Sequence, residues 1–333
     1  MRVLVTGANG FVGAALCRKL VERGDEVRGL VRKTSDLSLL EGIPIQKVVG
    51  SLNDLNSLKD ATETIELVIH AAASVTDWGT YESFHRVNVD GTRTILKASV
   101  RAGVKRFVFV STVAVHSFIG AEEMDESSPQ LPTRFPYCRT KREAEALVME
   151  AHHRGRMDVV IVRPGDVFGP GDRVSLLKMV GLLEAGRMAT VGGGRVLGAF
   201  TYVENLADGI ILAGITEAAA GEAFVITDGI KLTWRDYFWK LTEAIDVPKP
   251  RISVNPKLAY AAAVVLESIY GCFRLRSRPP ITRYLVTHLR KDFHFSIDKA
   301  RRLLGYEPKV DIDEAIRRTA DWYRKVVRGE GGS

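Results

Sequence analysis

The sequence predicts an α/β protein built on a doubly wound parallel sheet, with a smaller α+β region behind it. Three observations carry this. Short, continuous apolar runs alternate with helical patterns from residue 1 to about 165, as expected of parallel strands covered on both faces. The first run, Val3-Leu4-Val5, meets three glycines spaced three apart, and a helical pattern follows through Ala14, Leu16 and Leu20. Beyond residue 165 the alternation loses its regularity.

Residues 3–5 form the first strand and 10–23 the first helix. Between them, Gly7 supplies a turn that a side chain would obstruct. Gly10 admits a pyrophosphate, and Gly13 lets the helix pack close to the sheet. The free N–H groups of the new helix, with its dipole behind them, favour an anion there. Asn9, Phe11 and Val12 share this turn and complete the candidate phosphate cradle.

The second strand spans 26–31, and Arg32 stands 19 residues after Gly13. Dinucleotide folds place an acid near this point, on the ribose 2′-hydroxyl. Here the next acid is Asp36. An arginine pairs with a 2′-phosphate instead, which favours NADP over NAD; a solvated basic turn is the plainer alternative. Further strands are expected at 45–49, 67–70, 106–111 and 158–163, and helices from Asp54, over 81–102 and over 137–153. The fourth strand ends in His70-Ala71-Ala72-Ala73, small enough for a dinucleotide to lie against the backbone. Asn88, inside the 81–102 helix, is either a surface residue or a buried polar group.

Two stretches carry the chemistry. Val110-Ser111-Thr112 places hydroxyls at the carboxyl edge of the sheet, where ligands bind in such folds. Tyr137-Cys138-Arg139-Thr140-Lys141 opens a helix after Pro136, and a tyrosine and a lysine four apart share one helical face. A free phenol has a pKa of about 10. A neighbouring ammonium lowers it toward the working range of an acid or base.

The strings TGANGFVG (6–13), HAAA (70–73), NVDGT (88–92), VST (110–112), YCRTK (137–141) and RPGDVFGPGD (163–172) together resemble the extended short-chain dehydrogenases/reductases over nearly the whole chain. The resemblance implies a Rossmann domain of strand order 3-2-1-4-5-6 over residues 1–165, rejoined by about 197–216, with a substrate domain in the rest of 166–333. It implies a catalytic set of Thr112 (rather than Ser111), Tyr137 and Lys141, with Asn88 supporting the lysine through water. It also lays Ala71, Ala72, Ala73, Pro164 and Val167 along the cofactor, the last two against the nicotinamide. Relatives commonly dimerise through the helices expected at 81–102 and 137–153.

Two branches compete within that family. Sugar-nucleotide epimerases and dehydratases usually carry Val-Tyr-Gly after the hydroxyl, where this chain has Val115-His116-Ser117. They also place Arg-Asp, a diphosphate clamp, where this chain has Gly198 and Ala199; Arg195 is the nearby cation. Thr76-Asp77-Trp78-Gly79 and Pro279-Pro280-Ile281-Thr282-Arg283 instead resemble 3β-hydroxysteroid dehydrogenases, sterol 4-carboxylate 3-dehydrogenases and long-chain β-keto acid reductases. The expectation is an NAD(P)-dependent oxidoreductase interconverting a secondary alcohol and a ketone on a largely apolar small molecule. A sugar-nucleotide epimerase or dehydratase is the alternative, and a non-catalytic cofactor sensor a third.

The bulk numbers agree. A chain of 333 residues with 46% hydrophobic and 26% charged residues is an ordinary globular composition. The net charge of +7 is scattered among acids rather than gathered in a stripe, which excludes a nucleic-acid footprint and suits an anionic ligand. Cys17, Cys138 and Cys272 and the seven histidines show no metal-ligand spacing, so no metal is expected. Free thiols, and a first strand that leaves no room for a cleavable leader, lead to the expectation of a cytoplasmic protein. Residues 258–273 are the most apolar helix, either a core or lid helix or a greasy entrance touching a membrane surface. Arg274, Arg276 and Arg278 follow it and suit lipid headgroups or a substrate carboxylate. The Gly-rich end, 329–333, is expected to lack order.

Overall fold

The computed structural model describes residues 1–275 and 277–329. The chain opens with β1 (Arg2–Thr6), α1 (Phe11–Glu22), β2 (Glu26–Val31), β3 (Gln46–Val49), α2 (Leu55–Thr62) and β4 (Leu67–His70). It continues through α3 (Tyr81–His85), α4 (Gly91–Arg101), β5 (Arg106–Val110), β6 (Ala121–Met124), α5 (Pro136–His153) and β7 (Asp158–Pro164). Next come β8 (Asp166–Phe168), α6 (Ser175–Glu184), β9 (Ala189–Val191), β10 (Phe200–Tyr202), α7 (Val203–Ile215) and β11 (Ala223–Ile226). The last elements are α8 (Trp234–Ala244), β12 (Ile252–Val254), α9 (Pro256–Cys272), α10 (Arg283–His288), β13 (Phe293–Phe295), α11 (Asp298–Leu304) and α12 (Ile312–Trp322).

Seven strands form one parallel sheet in the order β3-β2-β1-β4-β5-β7-β11. Its first six positions are the 3-2-1-4-5-6 order, and β11 adds a seventh beyond β7. The chain's return to this sheet therefore runs past 197–216, through α7 and on to residue 226. Side-chain alternation explains the two covers. Val3 and Val5 meet Leu16 and Leu20 of α1 and Leu206 and Ile210 of α7. Leu4 faces the opposite layer, with Ile95 of α4 and Ala144 and Val148 of α5. All of these are fully buried, each contributing about 1.5–3 kcal/mol for the larger side chains. Strand order reverses between β1 and β4, the point at whose carboxyl ends open α/β sheets bind ligands.

Two expectations are corrected. The 81–102 segment is not a uniform α-helix, because Arg86–Asp90 widens into a π turn between α3 and α4. Such turns are frequent at functional sites, and Asn88 sits in this one. The apolar 258–273 segment is not a core helix. α9 lies on α10 and buries only Ala259 and Ala263, leaving Leu258 68% and Phe273 71% exposed. No helix among the described residues is long and apolar enough to cross a membrane.

The C-terminal region is assembled from short parallel pairs, β8 with β10, β9 with β12 and β6 with β13. Arg276, and residues 330–333 of the tail expected to lack order, lie outside the described residues.

Candidate active site

The glycine turn is interlocked with the end of β4. Gly7 has φ +68°, and a Cβ on it would fall 2.9 Å from the Ala72 backbone. A Cβ on Gly13 would fall 2.0 Å from the Gly7 carbonyl oxygen. Gly10 precedes α1 with no side chain capping the helix, so its first-turn N–H groups form a row of donors with no side-chain partner among the described residues. Asn9 Nδ2 donates to the Asp36 carbonyl at 3.2 Å, fixing the loop after β2 over this turn. Arg32 is exposed, and its guanidinium has no partner among the described residues. Asp36 is engaged by Arg173 at 2.9 Å and by Ser38.

A hydrogen-bonded wire crosses beneath the cradle, and sequence reasoning missed it. Thr92 Oγ1 donates to the Asn88 carbonyl at 2.6 Å, so His70 Nε2, 3.0 Å from that hydroxyl, must carry the hydrogen. His70 Nδ1 then accepts from Thr6 Oγ1 at 2.7 Å, and Thr6 Oγ1 accepts from Ala72 N–H at 3.2 Å. Burial, reinforced by the charge of Lys141, lowers the His70 pKa to about 3, consistent with this neutral tautomer. The wire joins β1, the alanine run and the π turn.

Asn88 is held from both sides. Its Oδ1 accepts from Ser74 N–H at 2.7 Å, and its Nδ2 donates to the Ser74 carbonyl and Thr140 Oγ1, each at 3.2 Å. It thereby ties the π turn to α5, beside Lys141. Thr112 and Tyr137 are brought together, the Thr112 hydroxyl close enough to favour the phenolate, while Ser111 Oγ is buried without a partner among the described residues. Thr112 also caps the turn that follows it, accepting from Ala114 N–H at 3.1 Å. Lys141 Nζ donates to the Val110 carbonyl at 2.6 Å and lies over the Phe109 ring.

The expected lowering of the phenol pKa is corrected. Burial pushes Tyr137 well above the ordinary phenol range, against the opposing influence of Thr112. Burial also lowers Lys141 to about 7, with Glu145 opposing. Desolvation wins because both groups are nearly inaccessible and the ammonium is committed to a carbonyl rather than to the phenol.

Beside Tyr137 opens a cavity of about 190 Å³, walled by Trp78, Phe84, Phe135 and Tyr284 and rimmed by Arg134, Glu267 and Arg283. Both loops singled out in the sequence converge here. Asp77 is clamped by Arg278 and accepts from Thr282 Oγ1 at 2.6 Å. Burial raises its pKa, but these bonds outweigh burial and hold the carboxyl below its usual range. Arg278 is thus committed to Asp77 and is not a free cation. Tyr284 was not foreseen; its only signal was its place just after the Pro279–Arg283 stretch.

Pro164 ends β7 and Val167 lies in β8. Between them a Cβ on Gly165 would fall 1.9 Å from the Ala199 carbonyl oxygen, so this crossing and the 198–199 backbone touch. Ala199 donates its N–H to Asp166 Oδ2 at 3.2 Å. The position of a diphosphate clamp is therefore occupied by backbone contacts, and Arg195 is not among the cavity's lining residues. His116 packs beside the buried Arg163–Glu145 pair, 3.5 Å from Arg163.

The cradle that a Cβ would fill, the uncapped donor row and the unpartnered Ser111 hydroxyl together fit a dinucleotide. Comparison with known proteins agrees. Residues 4–256 match the model of the 3-beta hydroxysteroid dehydrogenase/isomerase family. The chain is 33% identical to 2-alkyl-3-oxoalkanoate reductase of Stenotrophomonas maltophilia, covering 96% of this chain and 98% of that protein. It is 33% identical to 3-beta-hydroxysteroid dehydrogenase of Mycolicibacterium neoaurum, covering 97% and 91%. Among solved structures, the dTDP-glucose 4,6-dehydratase DesIV of Streptomyces venezuelae with NAD bound is similar at TM-score 0.79 and 27% identity, covering 99% and 98%. With its glycine cradle, its Thr112–Tyr137 contact and these relatives, the chain belongs to the 3-beta hydroxysteroid dehydrogenase/isomerase family and is an NAD(P)-dependent oxidoreductase of the extended short-chain type.

Proposed function

We propose that this protein interconverts a secondary alcohol and a ketone on a largely apolar substrate, steroid-like or a long-alkyl β-hydroxy/β-keto compound. The observation that carries the reading is the aromatic cavity at Tyr137, built from the two loops around Trp78 and Thr282. The names of the curated relatives support it. Arg134, on the cavity rim, has no ion pair among the described residues and suits the carboxylate of a β-keto acid.

When bound, the nicotinamide supplies or accepts the hydride. Thr112 orients the substrate oxygen by hydrogen bonding. Tyr137 gives that oxygen its proton during reduction and takes it back during oxidation. Lys141 is placed to leave the Val110 carbonyl for the ribose and the phenol, and Asn88 fixes the helix that carries it. The first-turn amides of α1 hold the pyrophosphate, with Ala71, Ala72, Ala73, Pro164 and Val167 along the ring and ribose. NADP is the favoured cofactor, because Arg32 is a free cation beyond β2 with no acid in reach of a 2′-hydroxyl except the engaged Asp36. Residues 1–165 with the returning segment make the cofactor lobe, and the remainder of 166–333 the substrate lobe. Cys17, Cys138 and Cys272 are all unpaired, which supports a reducing, cytoplasmic setting. A homodimer through α4 and α5 belongs to the same reading, with polar outward faces carrying Arg93, Lys97 and Arg139.

Absorbance of NADPH in the presence of long-alkyl 3-keto acids or steroid ketones tests the reading. Net oxidation supports it. Conversion of a UDP- or dTDP-sugar with no net consumption of NADPH would establish the epimerase alternative instead. Calorimetry with Arg32→Asp should reverse the preference between NADPH and NADH; an unchanged preference removes Arg32 from the 2′-phosphate site.

A further inference from the structure

The cavity beside Tyr137 has few charged or hydroxyl-bearing side chains in its wall, and most are committed. Asp77 is clamped by Arg278 and Thr282. Glu267 is ion-paired with Arg283, and Thr76 Oγ1 accepts from Trp78 N–H at 3.4 Å. Besides Tyr137, two side chains of this kind line the cavity with no hydrogen bond or ion pair among the described residues: Arg134 at the rim and Tyr284. Burial, with Cys138, Tyr137, Asp166 and Asp77 adding to it, holds the Tyr284 pKa well above the ordinary phenol range. Its hydroxyl is therefore neutral and able to donate.

Tyr284 is held in place from several directions. Thr282 Oγ1 caps α10 by accepting from Leu285 N–H at 3.2 Å, and donates to Asp77. The Arg283 N–H donates to Glu267 Oε1 at 2.6 Å. The Tyr284 ring meets Phe118 and Phe135 edge-on, with centroids 5.1 and 5.3 Å away, and Tyr137 edge-on at 6.4 Å. Phe118 reaches it from a backbone at φ +52°, one residue after Ser117 at φ +63°. Left-handed backbone is unfavourable for both residues and persists where the surroundings impose it. A ring fixed in this way loses little freedom when its hydroxyl meets a ligand.

A tyrosine shielded from bulk water ordinarily finds a partner for its hydroxyl. Here the group that fills the cavity supplies it. Tyr137 serves the reacting oxygen, so Tyr284 and Arg134 are donors left for a second, accepting group on the same molecule. A 3-oxo or 3-hydroxy acid carries its carboxylate two carbons from the reacting carbon, where a plain ketone carries none. We propose that Tyr284 is the specificity residue of this site, its hydroxyl donating to the carboxylate of a 3-oxo or 3-hydroxy acid while Arg134 supplies the matching charge. A site built to hydrogen-bond one group discriminates against the analogue lacking it, because the donor is then left unpaired. The inference rests on the reading of an apolar alcohol or ketone as substrate and names the polar group that such a substrate carries.

Steady-state reduction by NADPH of a long-alkyl 3-oxo acid, its methyl ester and the matching methyl ketone tests it. Tyr284→Phe keeps the ring and removes only the hydroxyl. Its kcat/KM for the acid relative to the methyl ketone should fall about 10- to 100-fold, mostly through KM. Unchanged NADPH affinity shows that the variant is folded. Arg134→Gln should weaken the acid more than the ester, which keeps the acceptor and loses the charge. An unchanged acid-to-ketone ratio in Tyr284→Phe overturns the proposal. So does a loss through kcat alone, which would make Tyr284 a partner of Tyr137 and not a reader of the carboxylate. Failure of the substrate reading is separately visible as no turnover of any of the three compounds by the unmodified protein. The proposal is then decided by calorimetry of a long-alkyl 3-hydroxy acid with the NADP complex: weaker binding by Tyr284→Phe upholds it, and equal binding overturns it.

Discussion

Lys141 Nζ lies 2.6 Å from the Val110 carbonyl oxygen, under the very strand end that presents Thr112. Burial has brought this ammonium to a pKa of about 7. Near neutrality it is therefore half-protonated. Contact with an anionic dinucleotide favours the charged form, so cofactor binding at pH 7 should take up about half a proton. Calorimetry in buffers of different ionisation enthalpy measures this uptake. Lys141→Met should abolish it, and equal uptake by that variant would assign the proton elsewhere.

Gly13→Ala tests the cradle. Its Cβ would sit 2.0 Å from the Gly7 carbonyl oxygen, so α1 must withdraw from the turn. Cofactor affinity should drop by about tenfold or more, since the amide row moves with the helix. Unchanged affinity in a folded variant would place the pyrophosphate elsewhere.

Asn88→Ala removes three hydrogen bonds and strands the Ser74 N–H. The expected loss is about 2–4 kcal/mol, read as a lower urea midpoint with an unchanged m-value. A loss below about 0.5 kcal/mol would mean that the π turn does not depend on this side chain.

How legible all this was follows from the range of each interaction. Strands such as 67–70 and the glycine turn announce themselves through local periodicity, and Tyr137 with Lys141 through helical spacing. The π turn at Asn88 did not, because α and π turns share nearly the same apolar pattern over five residues. The His70 wire joins Thr6 to Thr92 across the fold, and nothing in either neighbourhood advertises the partner. Apolar periodicity made α9 look like a core helix, but periodicity reports a greasy face and not what lies against it. The phenol pKa was misjudged for a related reason: spacing shows that Lys141 is near, whereas burial and the Val110 carbonyl decide where its charge goes.

Acid should destabilise the fold. Burial lowers His70 to about 3 and, with Arg163, His116 to about 4. Both stay neutral in the folded protein while the unfolded chain takes up protons below about pH 6.5, so the stability they confer is lost as pH falls from there toward 3–4. Between pH 7 and 5 each should cost about 2 kcal/mol. Asp228 acts oppositely: burial raises it to about 6, and its protonation returns roughly 1 kcal/mol over the same interval. Thermal scans should therefore show Tm falling from pH 7 to 5; a flat or rising Tm would contradict neutral buried histidines.

The account turns on Tyr137 as the proton donor to the substrate oxygen. Single-turnover hydride transfer from saturating NADPH to a long-alkyl ketone, with Tyr137→Phe beside the unmodified protein, measures this directly. The variant should bind NADPH with unchanged affinity and transfer hydride about 10²–10⁴-fold more slowly. Transfer at a rate within a few-fold of the unmodified protein would contradict the assignment.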